Sequence, residues 1–129
     1  MTITIQDENF SGAVLNELEL FFQSESVSVK EIIEQRVLQE VARYNEKATE
    51  VYRGLVKPSA METVLNGFKA KSKVIIDGEK QVYVALDAFQ KNGFFVLIDD
   101  KQVDSLDMQV QLSPVSKISF IKLVPLVGG

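Results

Sequence analysis

The sequence closes on the segment VPLVGG, whose residue types suit a reactive arm. Gly128 and Gly129 lack a Cβ atom, so their backbone can approach a partner closely and adopt any φ. Pro125 fixes its own φ and has no N–H donor, which predicts that sheet pairing ends there. Average composition gives two successive glycines by chance at about 0.5% of positions, so we interpret the pair as functional. The sequence predicts an extended tail at 125–129.

Side chains that commonly carry catalysis are missing from the chain. There is no histidine and no cysteine, which removes the commonest general base, the strongest nucleophile and the zinc ligands other than carboxylates. The seven glycines are scattered and form no phosphate-binding loop. We therefore expect no enzyme activity and no catalytic residue. An enzyme that uses carboxylates alone is the weakest alternative, because the spacing of the acidic residues indicates no catalytic pair.

Four aspartates in the last third raise the question of a metal site. Asp99 and Asp100 follow an apolar strand, and Asp104 and Asp107 come shortly after. Acidic residues in turns between strands are far commoner than calcium ligands. We interpret them as turn residues and predict no metal or other bound cofactor.

Charge and composition limit the partners. The net charge is −4 and only three arginines are present, so the chain lacks the excess of basic residues that is typical of nucleic-acid binders. No apolar run is long enough to cross a bilayer, and MTITIQDENF lacks the basic and apolar regions of a signal peptide. We expect a cytoplasmic protein with no nucleic-acid or membrane partner. A chain of 129 residues suits one domain with one core.

The first elements that must position the tail are two strands and a helix. Alternating apolar residues over 1–6 and 13–23 predict a hairpin, with a turn that closes at Gly12. Ser28 and Glu31 fit a capping box, which predicts a helix from Val29 to about Tyr52. Its apolar face follows steps of three and four. The residues of that face are Val29, Ile33, Val37, Val41, Tyr44 and Ala48.

The middle of the chain is less regular. A second S-x-x-E spacing after Pro58 predicts a short helix from Ala60 to Asn66. KVIIDGEK predicts a short strand and a turn. Helical spacing returns from Val82 to Phe89, and Asn92-Gly93 is a typical helix stop.

The last third returns to strands. We predict strands at 94–98 and 117–124, with a turn at Asp99-Asp100 between the first of these and a returning segment at 101–103. LDMQVQL alternates as a further strand. The order predicts an α+β fold in which one mixed sheet packs on one long helix.

The segment from Gly93 to Gly129 resembles the C-terminal half of ubiquitin-like and sulfur-carrier proteins of the β-grasp family. The resemblance is carried by FVLIDDKQV, by the loop SLD, by the terminal apolar strand and by the final Gly-Gly. VPLVGG is closer to the sulfur carriers of molybdopterin and thiamine synthesis than to ubiquitin, which has arginines where this sequence has Pro125 and Val127. Within the family, we expect the subgroup of prokaryotic ubiquitin-like proteins that are encoded beside activating and conjugating enzymes. The resemblance implies one β-grasp domain over 1–129, with the first and last strands as parallel neighbours. Residues at about 46–92 have no counterpart in the small family members, so the resemblance makes them a helical insertion before the third strand.

The resemblance also implies a function in which the chain is a substrate. An activating enzyme would adenylate the carboxylate of Gly129 with its own ATP, and the acyl group would pass to a protein amine or to sulfur. Val124, Pro125, Leu126 and Val127 would be recognised before the Gly128-Gly129 pair. The implied partners are an activating enzyme, target proteins and, for a modifier, a conjugating enzyme and a deconjugating protease.

A second class of function stays open. Some phage tail-assembly proteins carry a β-grasp domain with a similar VP-apolar-apolar-Gly run and use it for assembly without conjugation. Because the sequence stops at Gly-Gly, where an assembly module would be expected to continue, we favour the carrier.

In the last predicted strand, the apolar residues do not all fall on one face of the sheet, which we call the phase conflict. Ile118 and Phe120 share one face, Ile121 and Leu123 share the other, and Lys122 falls on the first. Three explanations are open: a bulge in the strand, a partner-binding patch formed by Ile121 and Leu123, or extra burial supplied by the insertion. Independently of this, we expect a set of core residues to be buried. They are Ile5, Leu20, Ile33, Val37, Val41, Val96 and Phe120.

Overall fold

The computed structural model describes residues 1–47, 51–59, 61–64, 67–70 and 75–123. Within them lie two helices and three groups of paired strands, an α+β arrangement with a mixed sheet. The strands are β1 (Thr2–Glu8), β2 (Val14–Phe21), β3 (Ser26–Ser28), β4 (Val51–Tyr52), β5 (Glu62–Val64), β6 (Gly67–Lys69), β7 (Phe94–Ile98), β8 (Lys101–Val103), β9 (Gln109–Gln111) and β10 (Ile118–Lys122). The helices are α1 (Val29–Lys47) and α2 (Gly78–Gln90).

The main sheet has five strands in the order β2-β1-β10-β7-β8. β10 runs parallel to β1, with Ile5 opposite Ile118, and antiparallel to β7, with Phe120 opposite Val96. Of the predicted strands, those near 1–6, 13–23, 94–98 and 117–124 are therefore confirmed for the described residues as members of one mixed sheet, with the first and last as parallel neighbours. β3 and β9 form a separate two-stranded sheet.

Local sequence signals explain the hairpin and the start of α1. The Asn9 side chain accepts hydrogen bonds from the amides of Ser11 and Ala13, and Gly12 has a φ of +86°. These features close the predicted turn. The amide of Glu31 donates to the Ser28 hydroxyl at 3.1 Å, so the predicted cap at the start of α1 is confirmed.

The far end of α1 was predicted wrongly. Val51 and Tyr52 were expected to continue the helix, but they form β4 and pair with Lys69 and Phe68 of β6. β-branched and aromatic residues favour strands where a partner strand is available, and here that pairing prevails over helical spacing. Residues 48–50, which include the predicted core residue Ala48, lie outside the described part of the chain.

The insertion is also less helical than expected. The predicted short helix from Ala60 to Asn66 is wrong, because Glu62–Val64 form β5 and pair with β6. Gly67 has a φ of +149°, and a Cβ there would lie 2.4 Å from the Tyr52 carbonyl oxygen, so the close approach of β6 to β4 at this point depends on glycine. The insertion thus contains a three-stranded sheet, β4-β6-β5, followed by α2. Because α2 packs beside α1 and also contacts β7, α1 is not the single long helix that was predicted to pack on the sheet.

α2 agrees better with its sequence signals. The Asp77 carboxylate caps it by accepting from the Lys80 amide, and Asn92, with a φ of +61°, ends it as predicted. In the segment KVIIDGEK, where a short strand was predicted, residues 73 and 74 lie outside the described part of the chain and the described residues 75–77 form no strand. Instead Ile76 exchanges two hydrogen bonds of 2.9 Å with the side-chain amide of Asn45 in α1.

One continuous core lies between the main sheet and the helices. All seven predicted core residues are buried, and α1 packs against both the sheet and α2. Neither helix of the described residues is long and apolar enough to cross a membrane.

Candidate functional site

The tail residues predicted from the sequence fall outside the described part of the chain. They are Val124, Pro125, Leu126, Val127, Gly128 and Gly129. The description stops at Leu123, one residue after β10, where the side chain is 43% exposed. The tail is thus attached directly to the central parallel strand of the main sheet.

Ile121 and Leu123 were predicted as a partner patch. Ile121 lies on the sheet face opposite Phe120, whereas Leu123 follows the end of β10 and lines an open cleft with Lys122 and Phe94. Ile121 is half-buried and lies opposite Phe95 of β7. Phe95 contacts Phe10, whose side chain is 68% exposed, with the ring centroids 6.1 Å apart. The patch remains a prediction, since no partner is present.

The phase conflict in β10 is not explained by a bulge. Its pairing with β7 runs without interruption from Ile118 to Lys122, and the register shift of this sheet lies between Asp7 and Glu8 in the β1–β2 pair. Lys122 keeps the parity of Phe120 and points to the core face, where its ammonium lies 3.4 Å from the Gly54 carbonyl oxygen. The insertion therefore covers this end of the core face.

A charged cluster lies beneath the sheet, where the sequence prediction expected only apolar side chains. Arg36 is fully buried in α1 and binds both carboxylate oxygens of Asp7, with Nη2 2.7 Å from Oδ2. Its Nε donates to Glu40 at 2.9 Å, and its guanidinium carbon lies 4.5 Å from the centre of the Phe120 ring. One guanidinium is thus shared between two carboxylates and an aromatic face.

The pKa values of the cluster follow from burial and charge. Burial lowers the pKa of Arg36, but Glu40 and Asp7 outweigh it and raise that pKa above its ordinary value. Burial raises the pKa of Glu40, against the opposing charge of Arg36. Burial lowers the pKa of Lys122, although Asp7 acts in the opposite direction. Burial and then the charge of Glu40 raise the pKa of the Tyr52 hydroxyl.

An open cleft of about 880 Å³ lies between the main sheet and the insertion. Asp7 and Lys122 line it from the sheet, and Arg53 and Lys57 line it from the insertion. Most other lining side chains are apolar. They are Leu15, Leu55, Val56, Val64, Phe68, Ala88, Phe94 and Leu123. The cleft therefore combines apolar walls with three cationic side chains, and its one carboxylate is already bound by Arg36.

The four aspartates have structural surroundings typical of turns. Asp99 and Asp100 have φ values of +50° and +67° and join β7 to β8, so the predicted turn is confirmed. The Asp99 carboxylate accepts from the Lys117 amide at 2.9 Å. Asp104 and Asp107 lie between β8 and β9. Among the residues that the structure describes, no three acidic side chains come together as a metal site.

The sequence prediction missed both the charged cluster and the cleft. One signal was available: Asp7 has the inward parity of Ile3 and Ile5 in β1. A buried acidic residue needs a cationic partner, but the sequence alone does not identify which of the three arginines provides it. The cleft had no signal, because one wall comes from strands of the insertion that were predicted as a helix.

Comparisons with known proteins identify no relative. No protein-family model, no curated protein and no solved structure matches the chain.

Proposed function

We propose that this chain is a ubiquitin-like protein modifier or sulfur carrier of the β-grasp fold, activated at Gly129. The observation that carries the proposal is the order of the main sheet. β10 is a parallel neighbour of the N-terminal strand and lies between the hairpin and β7. This is the arrangement that the resemblance implied. It attaches VPLVGG to a rigid central strand, so the tail has a fixed point of origin.

In the proposed reaction the chain is the substrate. The Gly129 carboxylate attacks the α-phosphorus of ATP on the activating enzyme, and pyrophosphate leaves. The acyl adenylate is then attacked by a nucleophile, and AMP leaves. A lysine amine gives an amide and makes the chain a modifier; a sulfur donor gives a thiocarboxylate and makes it a sulfur carrier. The residues of this chain recognise the partner and position the tail, and none acts as a catalyst.

The surfaces near the end of β10 support the recognition step. Leu123 is exposed beside the start of the tail, and Ile121 continues the apolar surface toward Phe95. An activating enzyme that reads Val124 to Val127 would also cover this patch. Apolar residues next to a functional tail are a suitable docking surface because their burial adds affinity without fixing the tail itself.

The experiment is incubation with a candidate activating enzyme, ATP and magnesium, followed by intact-mass measurement. An acyl adenylate, a covalent adduct or an oxygen-to-sulfur exchange at Gly129 is the expected result. A lysine-linked product indicates a modifier, and a thiocarboxylate indicates a sulfur carrier. The matched control lacks Gly128 and Gly129 and should keep its thermal melting temperature while losing the reaction. Equal behaviour of both proteins would contradict a role for the diglycine.

The cleft favours a second candidate, a β-grasp interaction module that is not conjugated and that resembles phage tail-assembly proteins. Its apolar walls, which the insertion helps to form, suit binding in place of group transfer. This candidate predicts that the diglycine deletion changes no activity of the protein. The mass experiment therefore separates the two functions.

A further inference from the structure

The cleft between the main sheet and the insertion has the composition of a ligand site for an amphipathic anion. Its volume of about 880 Å³ lies within the range of small-molecule sites, and its walls are mostly apolar. The cleft lies on the face of the sheet opposite Ile121, and Leu123 at the end of β10 lines it.

The cleft is lined by more cationic than anionic side chains. Arg53 and Lys57 are exposed at the insertion side, and Lys122 is half-buried at the sheet side. In the part of the chain that the structure describes, none of these three side chains forms an ion pair. The one acidic lining residue, Asp7, already holds Arg36 through both of its oxygens. The cations are thus available to an anion from outside.

Lys122 is the best placed of the three cations. Its ammonium has the Gly54 carbonyl as an acceptor at 3.4 Å, which leaves donors for another group. It projects from the rigid central strand β10, next to the buried Phe94. An anion there would exchange water for a charge-assisted hydrogen bond in partly apolar surroundings, where such a bond is stronger than at an open surface.

We propose that the cleft binds a small amphipathic anion, with the anionic head at Lys122 and the apolar body against the insertion. Val56, Val64 and Phe68 provide the wall for the apolar body. Arg53 and Lys57 attract the anion and contribute less, because exposed charges are screened by water and salt. The ligand class is a monocarboxylate, or a similar single anionic head, on an apolar chain or ring.

Decanoate is a suitable probe below its micelle concentration, with decanol and decyltrimethylammonium as uncharged and cationic analogues. Binding is measured by calorimetric titration of the whole chain at low and physiological salt. Decanoate should bind about tenfold more tightly than decanol, and the cationic analogue should not bind measurably. Equal affinity for decanoate and decanol would overturn the proposal, since the cations would then have no role.

Substitutions test whether the probe binds in the cleft. Lys122→Gln should weaken decanoate binding about tenfold and leave decanol binding unchanged, whereas Lys122→Arg should retain most of the affinity. Lys101→Gln, in the edge strand β8, is the matched control and should change nothing. Because Lys122 is half-buried, the exposed pair Arg53→Gln and Lys57→Gln serves as a second test that does not threaten folding. It should reduce affinity about threefold and lessen the salt dependence. Unchanged binding in both tests would refute the cleft as the site.

Discussion

Asp7 and Arg36, 29 residues apart in the sequence, form a two-point ion pair beneath the main sheet. Both side chains are almost completely buried, at 1% and 0% exposure. The pair joins the N-terminal strand to the long helix, and Glu40 satisfies the remaining Nε donor of the guanidinium. Burying two charges is costly unless each finds a partner, so the integrity of this end of the core depends on the complete set.

Removal of Asp7 should therefore destabilise the fold strongly. Asp7→Ala leaves Arg36 buried with only Glu40 as a partner, and we expect a loss of about 3–5 kcal/mol in the free energy of unfolding. Urea denaturation followed by circular dichroism measures it. Glu8→Ala, the next residue in β1 but on the opposite face, is the control and should change stability by about 0.5 kcal/mol or less. Similar values for both variants would show that the ion pair contributes no stability.

The shared guanidinium also predicts a pH dependence. Burial raises the pKa of Glu40 above its ordinary value of 4.5. The folded state then binds the Glu40 proton more tightly than the unfolded state, so the contribution of Glu40 to stability is greatest below pH 4.5 and is lost as the pH rises through the folded pKa. Glu40→Gln removes this titration. Unfolding free energies measured from pH 4 upward should show the wild type losing stability relative to Glu40→Gln. A relative gain with rising pH would contradict the raised pKa.

The helix face that the sequence predicted correctly gives a simpler test. Val37 is fully buried, and Val37→Ala should cost about 1–3 kcal/mol through lost methyl burial and a partial cavity. Leu38, its neighbour in α1, is 40% exposed, so Leu38→Ala should cost clearly less. Denaturant midpoints of the two variants give the comparison, and equal losses would mean that the two positions are packed alike.

Periodicity predicted those parts of the fold in which one face is buried. Ile3 and Ile5 in β1 and the stripe from Val29 to Val41 in α1 follow the periods of two and 3.6 residues, and over these residues both assignments were correct. Periodicity failed at Glu62–Val64, because three residues are too few to separate a strand from a helix. There the pairing with β6 decided the structure, and a pairing between distant segments leaves little trace in a local pattern.

The charged cluster was beyond prediction for a related reason. Asp7 becomes a neighbour of Arg36 only through the packing of α1 on β1. Glu40 lies one turn away in the same helix, but the buried face of α1 was predicted from apolar residues alone, so a buried arginine was not expected. The same holds for the cleft, whose cations come from β10 and from the insertion. Local sequence rules predict the elements, whereas such sites depend on contacts between elements far apart in the chain.

The apolar patch at the end of β10 gives the last prediction, which rests on the proposed function. Leu123 is 43% exposed, so Leu123→Glu should leave the free energy of unfolding within about 0.5 kcal/mol of the wild type. If an activating enzyme covers the patch, the new charge must be desolvated there, and the rate of adenylate formation should fall about tenfold or more. Pyrophosphate release measures that rate. Val115→Glu is the matched control, because Val115 is 90% exposed in the loop before β10 and lies outside the patch. If both variants react at the wild-type rate, Leu123 is not part of the docking surface, and recognition must rest on the tail alone.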